Sequence, residues 1–338
     1  MQHRTAGHES AAITGTGIFL PGAPVRSDEL DQRLGMPRGW LEEKCGVQTR
    51  HYATEADSQE SMGVAAAHAA LTDAGIEPGE LDLLIFCGAV GRQPVPATAP
   101  LIKRELGLSA HAFPAYDVNA TCLGTLLGLD HAAMAIATGR ASTVLVVVSE
   151  MPSQAIPWKQ DPTTAGLFGD GAAALVVQAG STGDMRLGPL LMETHADGYE
   201  YCQVGSGGTR YNPVTEAEAF EDNAVFSMDG KGVFRLSSKT FPRFLEQVLD
   251  RTGWSLGEID LVVPHQASPH AISLMIKRCG IRPEQIFDVA RTMGNQVAAS
   301  LPIALHQARL AGRIQSDMKI LMAGTSAGIS LGAMAVTT

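Results

Sequence analysis

The chain has 338 residues, 45% of them apolar and 5% aromatic, with a formal net charge of −10 at pH 7. That length admits two domains or one large duplicated one, and the acidic balance argues against nucleic acid as the main partner. No apolar run is long enough to span a bilayer, and the polar first ten residues lack the apolar stretch of a signal peptide. Residues 1–10 are therefore expected to form a flexible tail. Five cysteines, Cys45, Cys87, Cys122, Cys202 and Cys279, are scattered, odd in number and without metal-ligand spacing. Neither a metal site nor a disulfide framework is expected, and a reducing, cytoplasmic compartment fits.

In chain order, the dominant signal is an internal repeat. Asp73-Ala-Gly-Ile-Glu-Pro-Gly-Glu-Leu-Asp-Leu-Leu-Ile-Phe reads as a helix end, a turn and a buried strand. Arg251-Thr-Gly-Trp-Ser-Leu-Gly-Glu-Ile-Asp-Leu-Val-Val-Pro has the same grammar, with Asp82 matched to Asp260. Next, Asp117-Val-Asn-Ala-Thr-Cys leads into a helix closing at Gly139, and Asp288-Val-Ala-Arg-Thr-Met-Gly-Asn into one closing at Gly312. Strands are expected over 143–148 and 319–322. Both copies then run into a glycine turn feeding a strand, at Gly169-Asp-Gly-Ala-Ala-Ala and Gly328-Ile-Ser-Leu-Gly-Ala. Alternating strands and helices imply βαβ units and mostly parallel sheets. The expected organisation is an N-terminal half over 11–180, a connecting, pocket-lining segment over 181–225 rich in Gly, Ser, Asp, Asn and Pro, and a C-terminal half over 226–338, stacked as an α/β/α/β/α body.

The repeat brings chemistry together. Matching the copies on Asp117 and Asp288 sets Cys122 against Met293, close to Asn295, while His265 follows the strand equivalent to 83–86. A nucleophile from one half then meets helpers from the other at strand-to-helix transitions, where open α/β sheets hold their sites. A thiol at a helix start feels the positive end of the helix dipole and free backbone N–H groups, which favours the thiolate. Cys122 is expected to attack a thioester and hold the acyl group, with the N–H groups of Cys122 and Gly328 as oxyanion donors. His265 and Asn295 would donate to the enolate left when a malonyl thioester loses carbon dioxide. Taken singly, Cys122 reads as a packed core residue, His265 as a satisfied interior histidine and Asn295 as a cap. Their positions at matching turns carry the catalytic reading. A papain-like hydrolase also uses Cys, His and Asn, but its Gly-Ser-Cys-Trp type of signature is absent.

These motifs resemble, over nearly the whole chain, the β-ketoacyl-acyl-carrier-protein synthase III family of the thiolase superfamily. The likeness rests on Ile13-Thr-Gly-Thr-Gly-Ile-Phe-Leu-Pro, Gly39-Trp-Leu-Glu-Glu-Lys-Cys-Gly-Val, Tyr116-Asp-Val-Asn-Ala-Thr-Cys-Leu-Gly, Phe168-Gly-Asp-Gly-Ala-Ala, Val263-Pro-His-Gln-Ala and Gly294-Asn-Gln-Val-Ala-Ala-Ser-Leu-Pro. The resemblance implies a five-layered αβαβα homodimer with no metal and no bound organic cofactor. It implies acyl loading from coenzyme A, then decarboxylative Claisen condensation with malonyl on acyl-carrier protein. Trp40 and Phe234 match positions that contact coenzyme A, and Arg235 a basic position at the tunnel mouth.

The chain departs from the family at Lys44, at Cys45, in Ser268-Pro-His-Ala after the histidine, in Asp161-Pro-Thr-Thr-Ala-Gly and in Gly324-Thr-Ser-Ala-Gly-Ile-Ser-Leu-Gly. The expectation is a specialised synthase with an altered donor tunnel, Ser268 included, and an altered primer wall. Alternatives within the fold are acyl transfer to an oxygen or nitrogen acceptor and condensation of two long acyl chains. A non-catalytic synthase subunit is the remaining one.

Overall fold

A computed structural model of the chain describes residues 11–180 and 185–338. The expected tail over 1–10 and the first four residues of the connecting segment lie outside them. The first half runs β1 (Ala11–Phe19), β2 (Val25–Arg26), α1 (Ser27–Leu34), α2 (Trp40–Cys45), β3 (Thr49–Arg50), α3 (Gln59–Ala74), β4 (Leu83–Phe86), α4 (Thr98–Glu105), β5 (Ala115–Asp117), α5 (Gly124–Ala137), β6 (Thr143–Glu150), α6 (Pro162–Ala165) and β7 (Gly171–Ala179). The chain continues through β8 (Met185–Thr194), β9 (Cys202–Val204), α7 (Ala217–Asp222), β10 (Phe226–Met228), α8 (Gly230–Thr252), β11 (Leu261–Pro264), α9 (Pro269–Cys279), α10 (Ala290–Met293), α11 (Ser300–Leu310), β12 (Lys319–Ser326) and β13 (Ser330–Thr337).

The strands lie in the order β11-β12-β13-β8-β1-β7-β6-β4-β5. The join between β8 and β1 rests on two residue pairs, Ala12 with Arg186 and Ile13 with Met185. On either side of it the halves repeat each other. The strand pairs β4–β6 and β11–β12 are parallel, whereas β6–β7 and β12–β13 are antiparallel. The sheets are thus mixed rather than mostly parallel. A parallel return needs a crossover of a dozen or more residues, and only Ala327, Gly328 and Ile329 separate β12 from β13. In the same way, β8 is antiparallel to β13 as β1 is to β7.

Period-two alternation sorts the side chains into layers. In β6, Val144, Val146 and Val148 face the middle of the molecule with Leu126 and Leu129 of α5 and Leu301 and Leu305 of α11, all buried. Leu145 and Val147 face the other way, onto Met62, Ala66 and Ala70 of α3. In β12, Ile320 and Met322 join the middle layer, and Leu321 and Ala323 face Phe244 and Val248 of α8 with Ile272 of α9. Helix, sheet, helices, sheet, helices is the five-layered αβαβα arrangement expected of the thiolase fold. Full burial of one Leu, Val or Phe contributes about 1.5–3 kcal/mol, so the middle layer is the main tie between the halves.

The matched acidic residues do the same work in each copy. The Asp82 carboxylate accepts the N–H groups of Ser142 and Thr143 at the start of β6, and that of Asp260 accepts Lys319 N–H at the start of β12. Gly139 and Gly312 end their helices at φ 68° and 67°, the left-handed conformation that glycine adopts without strain.

Candidate active site

Cys122 sits in a 3-10 turn over Thr121–Leu123 that runs directly into α5. The counterpart in the second copy is a 3-10 turn over Val297–Ala299 running into α11. Thr121 and Val297, neither of them glycine, both adopt positive φ, 48° and 51°. Each is held there by the asparagine two residues earlier. Asn119 Oδ1 accepts Thr121 N–H at 2.8 Å and Asn295 Oδ1 accepts Val297 N–H at 2.8 Å. Asn119 Nδ2 donates to Ala89 O at 2.7 Å, and Asn295 Nδ2 to Ala267 O at 3.3 Å. The true partner of Asn295 is therefore Asn119, and that of Cys122 is Ala298. The match to Met293 is corrected, because the second copy carries five extra residues, 290–294, that form α10 and Gly294.

The two turns meet. Thr125 Oγ1 donates to Ala298 O at 2.9 Å, and Thr121 Oγ1 reaches Ala327 O at 3.4 Å. The loop after β12 closes over Cys122, with the Ala327 backbone hydrogen-bonding the sulfur. The amide at the sulfur is therefore that of Ala327, one residue before Gly328, which takes φ 126° in the turn to β13.

His265 follows β11, with its N–H on Ala323 O of the neighbouring strand at 2.8 Å. Its ring is 5% exposed, and Nδ1 lies 2.6 Å from Ser300 Oγ at the head of α11. Burial lowers its pKa to about 4, so the imidazole is neutral at physiological pH. Gly324 is required beside it, since a Cβ there would stand 2.4 Å from His265 Cβ. Asn295, 7% exposed, is fixed through its main chain, with N–H to Leu167 O at 2.8 Å and O from Gly169 N–H at 3.1 Å. The glycine turn of the first half thus holds the asparagine of the second. A Cβ at Gly169 or Gly294 would meet a carbonyl oxygen at 2.8 or 2.7 Å.

The electrostatics of Cys122 differ from the sequence expectation. The side chain is half-buried, and loss of water pushes the thiol up to about 12, with Glu150 and Cys202 adding to the rise. A helix dipole contributes about 0.3–1 kcal/mol, too little to bring such a thiol into the neutral range. The free sulfur rests protonated.

The expected substrate contacts have different surroundings. Phe234 and Arg235 of α8 line a cavity of about 750 Å³ with Lys231, Ser238, Lys239 and Arg278, and Phe234 is 53% exposed. Trp40, which is not among the residues lining it, packs with Leu30, Leu41 and Val47. Ser268 caps α9 by accepting Ala271 N–H at 3.0 Å, which is a local structural task. Cys45 and Cys87 are buried. Cys202 opens strand β9, where burial keeps its thiol protonated. Glu150, Ser300 and Ala327 went unread in the sequence, and only Asn119 had a signal there, the repeated Asn before each turn. Among the described residues, no cluster of three His, Cys, Asp or Glu could hold a metal ion, and no helix is long and apolar enough to cross a membrane.

Known proteins share this sequence pattern and fold. The model for 3-oxoacyl-(acyl-carrier-protein) synthase III matches residues 116–198, and the one for its C terminal matches 249–338. A β-ketoacyl-(acyl-carrier-protein) synthase III of Streptomyces coelicolor is 34% identical over 331 residues, 97% of each chain. The crystal structure of 3-oxoacyl-(acyl-carrier-protein) synthase III from Aquifex aeolicus superposes with a TM-score of 0.86 at 29% identity, covering 97% of this chain and 100% of that one. A priming β-ketosynthase of the R1128 polyketide pathway gives 0.88 at 27%, covering 100% and 99%. Similarity of this extent, spanning the turns that carry Cys122, His265 and Asn295, means that the chain belongs to the β-ketoacyl-acyl-carrier-protein synthase III family of condensing acyltransferases.

Proposed function

We propose that the protein carries an acyl group on Cys122 and condenses it with a malonyl group on acyl-carrier protein, releasing carbon dioxide and a 3-oxoacyl thioester. The observation that carries this reading is the pair of neutral donors beside the nucleophile's turn: an imidazole kept uncharged by burial and the carboxamide of Asn295, whose main chain is held by the first half and whose side chain is held by the second.

Because the resting thiol is protonated, attack on the donor thioester is coupled to proton loss, and the departing thiolate takes the proton. The N–H groups of Cys122 and Ala327 are our oxyanion donors, with Ala327 replacing Gly328 in that role. Removal of one such donor costs about 10²–10³ in rate. In the second half-reaction the malonyl carbonyl oxygen lies against His265 and Asn295. Ser300 Oγ accepts Gln266 N–H at 3.3 Å, and we assign its own proton to His265 Nδ1, which places the ring hydrogen on Nε2, aimed at substrate. Loss of carbon dioxide puts negative charge on that oxygen, where the two donors stabilise it without transferring a proton. The α-carbon then attacks the acyl carbonyl, the carbon–carbon bond forms and the Cys122 sulfur leaves.

Carrier docking is supported by the α8 cavity. Lys231, Arg235, Lys239 and Arg278 are all exposed around it, on a chain of net charge −10. Such a local positive field attracts a phosphate or an acidic carrier. Leu236 of the same helix approaches Gly198 alongside Ile329, next to the turn over Cys122, so a pantetheine arm entering here has a short path to the sulfur. The free edge of β5 supports a homodimer joined across it, and five free cysteines support a cytoplasmic location.

The test is incubation with a panel of acyl-coenzyme A and acyl-carrier donors, then malonyl-carrier protein, read by product mass and carbon dioxide release. A product longer by two carbons with equimolar carbon dioxide is expected. Acyl transfer without carbon dioxide would overturn the reading.

A further inference from the structure

Glu150 ends β6 inside the protein, 3% exposed, and the chemistry above makes no use of it. Its Oε1 accepts Ala89 N–H at 2.7 Å and Ala298 N–H at 3.4 Å. Ala298 is the residue that stands, in the second copy, where Cys122 stands in the first. Ala89 is also the residue whose carbonyl receives Asn119 Nδ2. One carboxyl therefore reaches the turn that carries Asn295 and the loop that braces the turn of Cys122. With β6 and β12 aligned on Asp82 and Asp260, the counterpart of Glu150 is Ser326, which is neutral. The buried carboxyl exists on one side of the repeat only.

We propose that Glu150 is a positioning residue of this active site: its carboxyl ties the 295–298 turn of one half to the Ala89 loop that braces the Cys122 turn of the other, so that its ionisation is felt at the nucleophile. The proposal rests on Cys122 as the nucleophile. Burial raises the Glu150 carboxyl to about 8 against the pull of its two N–H donors, with Asp170 adding to the rise. The carboxylate in turn raises both Cys122 and Cys87. Those three, Cys122 on the 3-10 turn, Cys87 after β4 and Asp170 before β7, are the ionisable groups that interact with it. The 297–299 turn contributes none. Helix α3 presents the amide of Gln59 to Ser149 O, with Glu60 paired to Arg92, and the ionisable residues of α5, Asp130 and His131, stand two turns beyond Gly124. Two like charges in one buried site disfavour each other. Near neutral pH the carboxyl is protonated and the thiol feels no extra charge. Above about pH 8 the carboxylate forms and opposes the thiolate.

The experiment is the pH dependence of Cys122 alkylation by iodoacetamide in the full chain, resolved from the other cysteines by peptide mass. The thiolate sulfur forms the bond to carbon, iodide leaves and the thiol proton goes to buffer. Glu150→Gln keeps an oxygen acceptor for both N–H groups and removes the charge. Its alkylation midpoint is expected about one pH unit below that of the wild type. A purely structural role would change rates or stability without moving the midpoint, so coincident midpoints overturn the proposal. Should Glu150→Gln not fold, the wild type decides. Between about pH 7 and 9 its log rate should rise with a slope below one, because the two ionisations compete. A slope of one throughout overturns it. Failure of acyl thioesters to load a Cys122 that still alkylates would overturn the nucleophile reading instead.

Discussion

Replacing Ser300 by Ala isolates the support of His265. Ser300 Oγ lies 2.6 Å from His265 Nδ1 and accepts Gln266 N–H at 3.3 Å, and Ser300, His265 and Gln266 are all buried. The substitution leaves a ring nitrogen and a backbone N–H without partners and lets the ring exchange tautomers. Leaving a buried polar group unpaired costs about 1–3 kcal/mol. If that loss falls on the aim of Nε2–H, condensation slows by ~5- to 150-fold. Acyl loading does not use the ring and should stay within about twofold. Intact-mass spectrometry measures loading, and release of labelled carbon dioxide from malonyl-carrier protein measures condensation. Equal slowing of both steps, or of neither, would refute the assigned role.

Asn119→Ala and Asn295→Ala remove matching turn bonds, and each should lower unfolding stability by about 0.5–2 kcal/mol in urea titrations. Only Asn295→Ala should also cut condensation, by about 10²–10³, with loading kept. Because His265 has a pKa of about 4 against an ordinary 6.5, condensation from a preloaded enzyme should show no acid limb at 6.5. The same shift carries a stability sign: the unfolded chain takes up that proton first, so this contribution is complete above 6.5 and is lost as pH falls towards 4. Arg235→Ala with Lys239→Ala should raise KM more for the carrier-borne substrate than for a pantetheine-length thioester, with the difference shrinking at high salt.

The duplicated fold was legible because its signals are local. Apolar strands bounded by turns, glycines just past helices and the paired Asp82 and Asp260 each report on their own few residues. The repeat register failed at the point that mattered, since the five residues forming α10 and Gly294 break the spacing between Asp288 and Asn295. Anchoring on the asparagines instead would have set Cys122 against Ala298. Glu150 stayed hidden because it ends a buried strand whose middle is apolar, and its partners are the distant Ala89 and Ala298 N–H groups. Ala327 acts through its backbone, which leaves no trace in side-chain identity. The high pKa of Cys122 comes from desolvation by elements far apart in the chain, and no local motif encodes it.

The most direct test of the central claim is the intact mass of the protein after exposure to an acyl thioester alone. The account predicts one acyl group, mapped to the Cys122 peptide, in the wild type, His265→Ala and Asn295→Ala, and none in Cys122→Ala. An acyl group on another residue, or loading that disappears with His265→Ala, would contradict it.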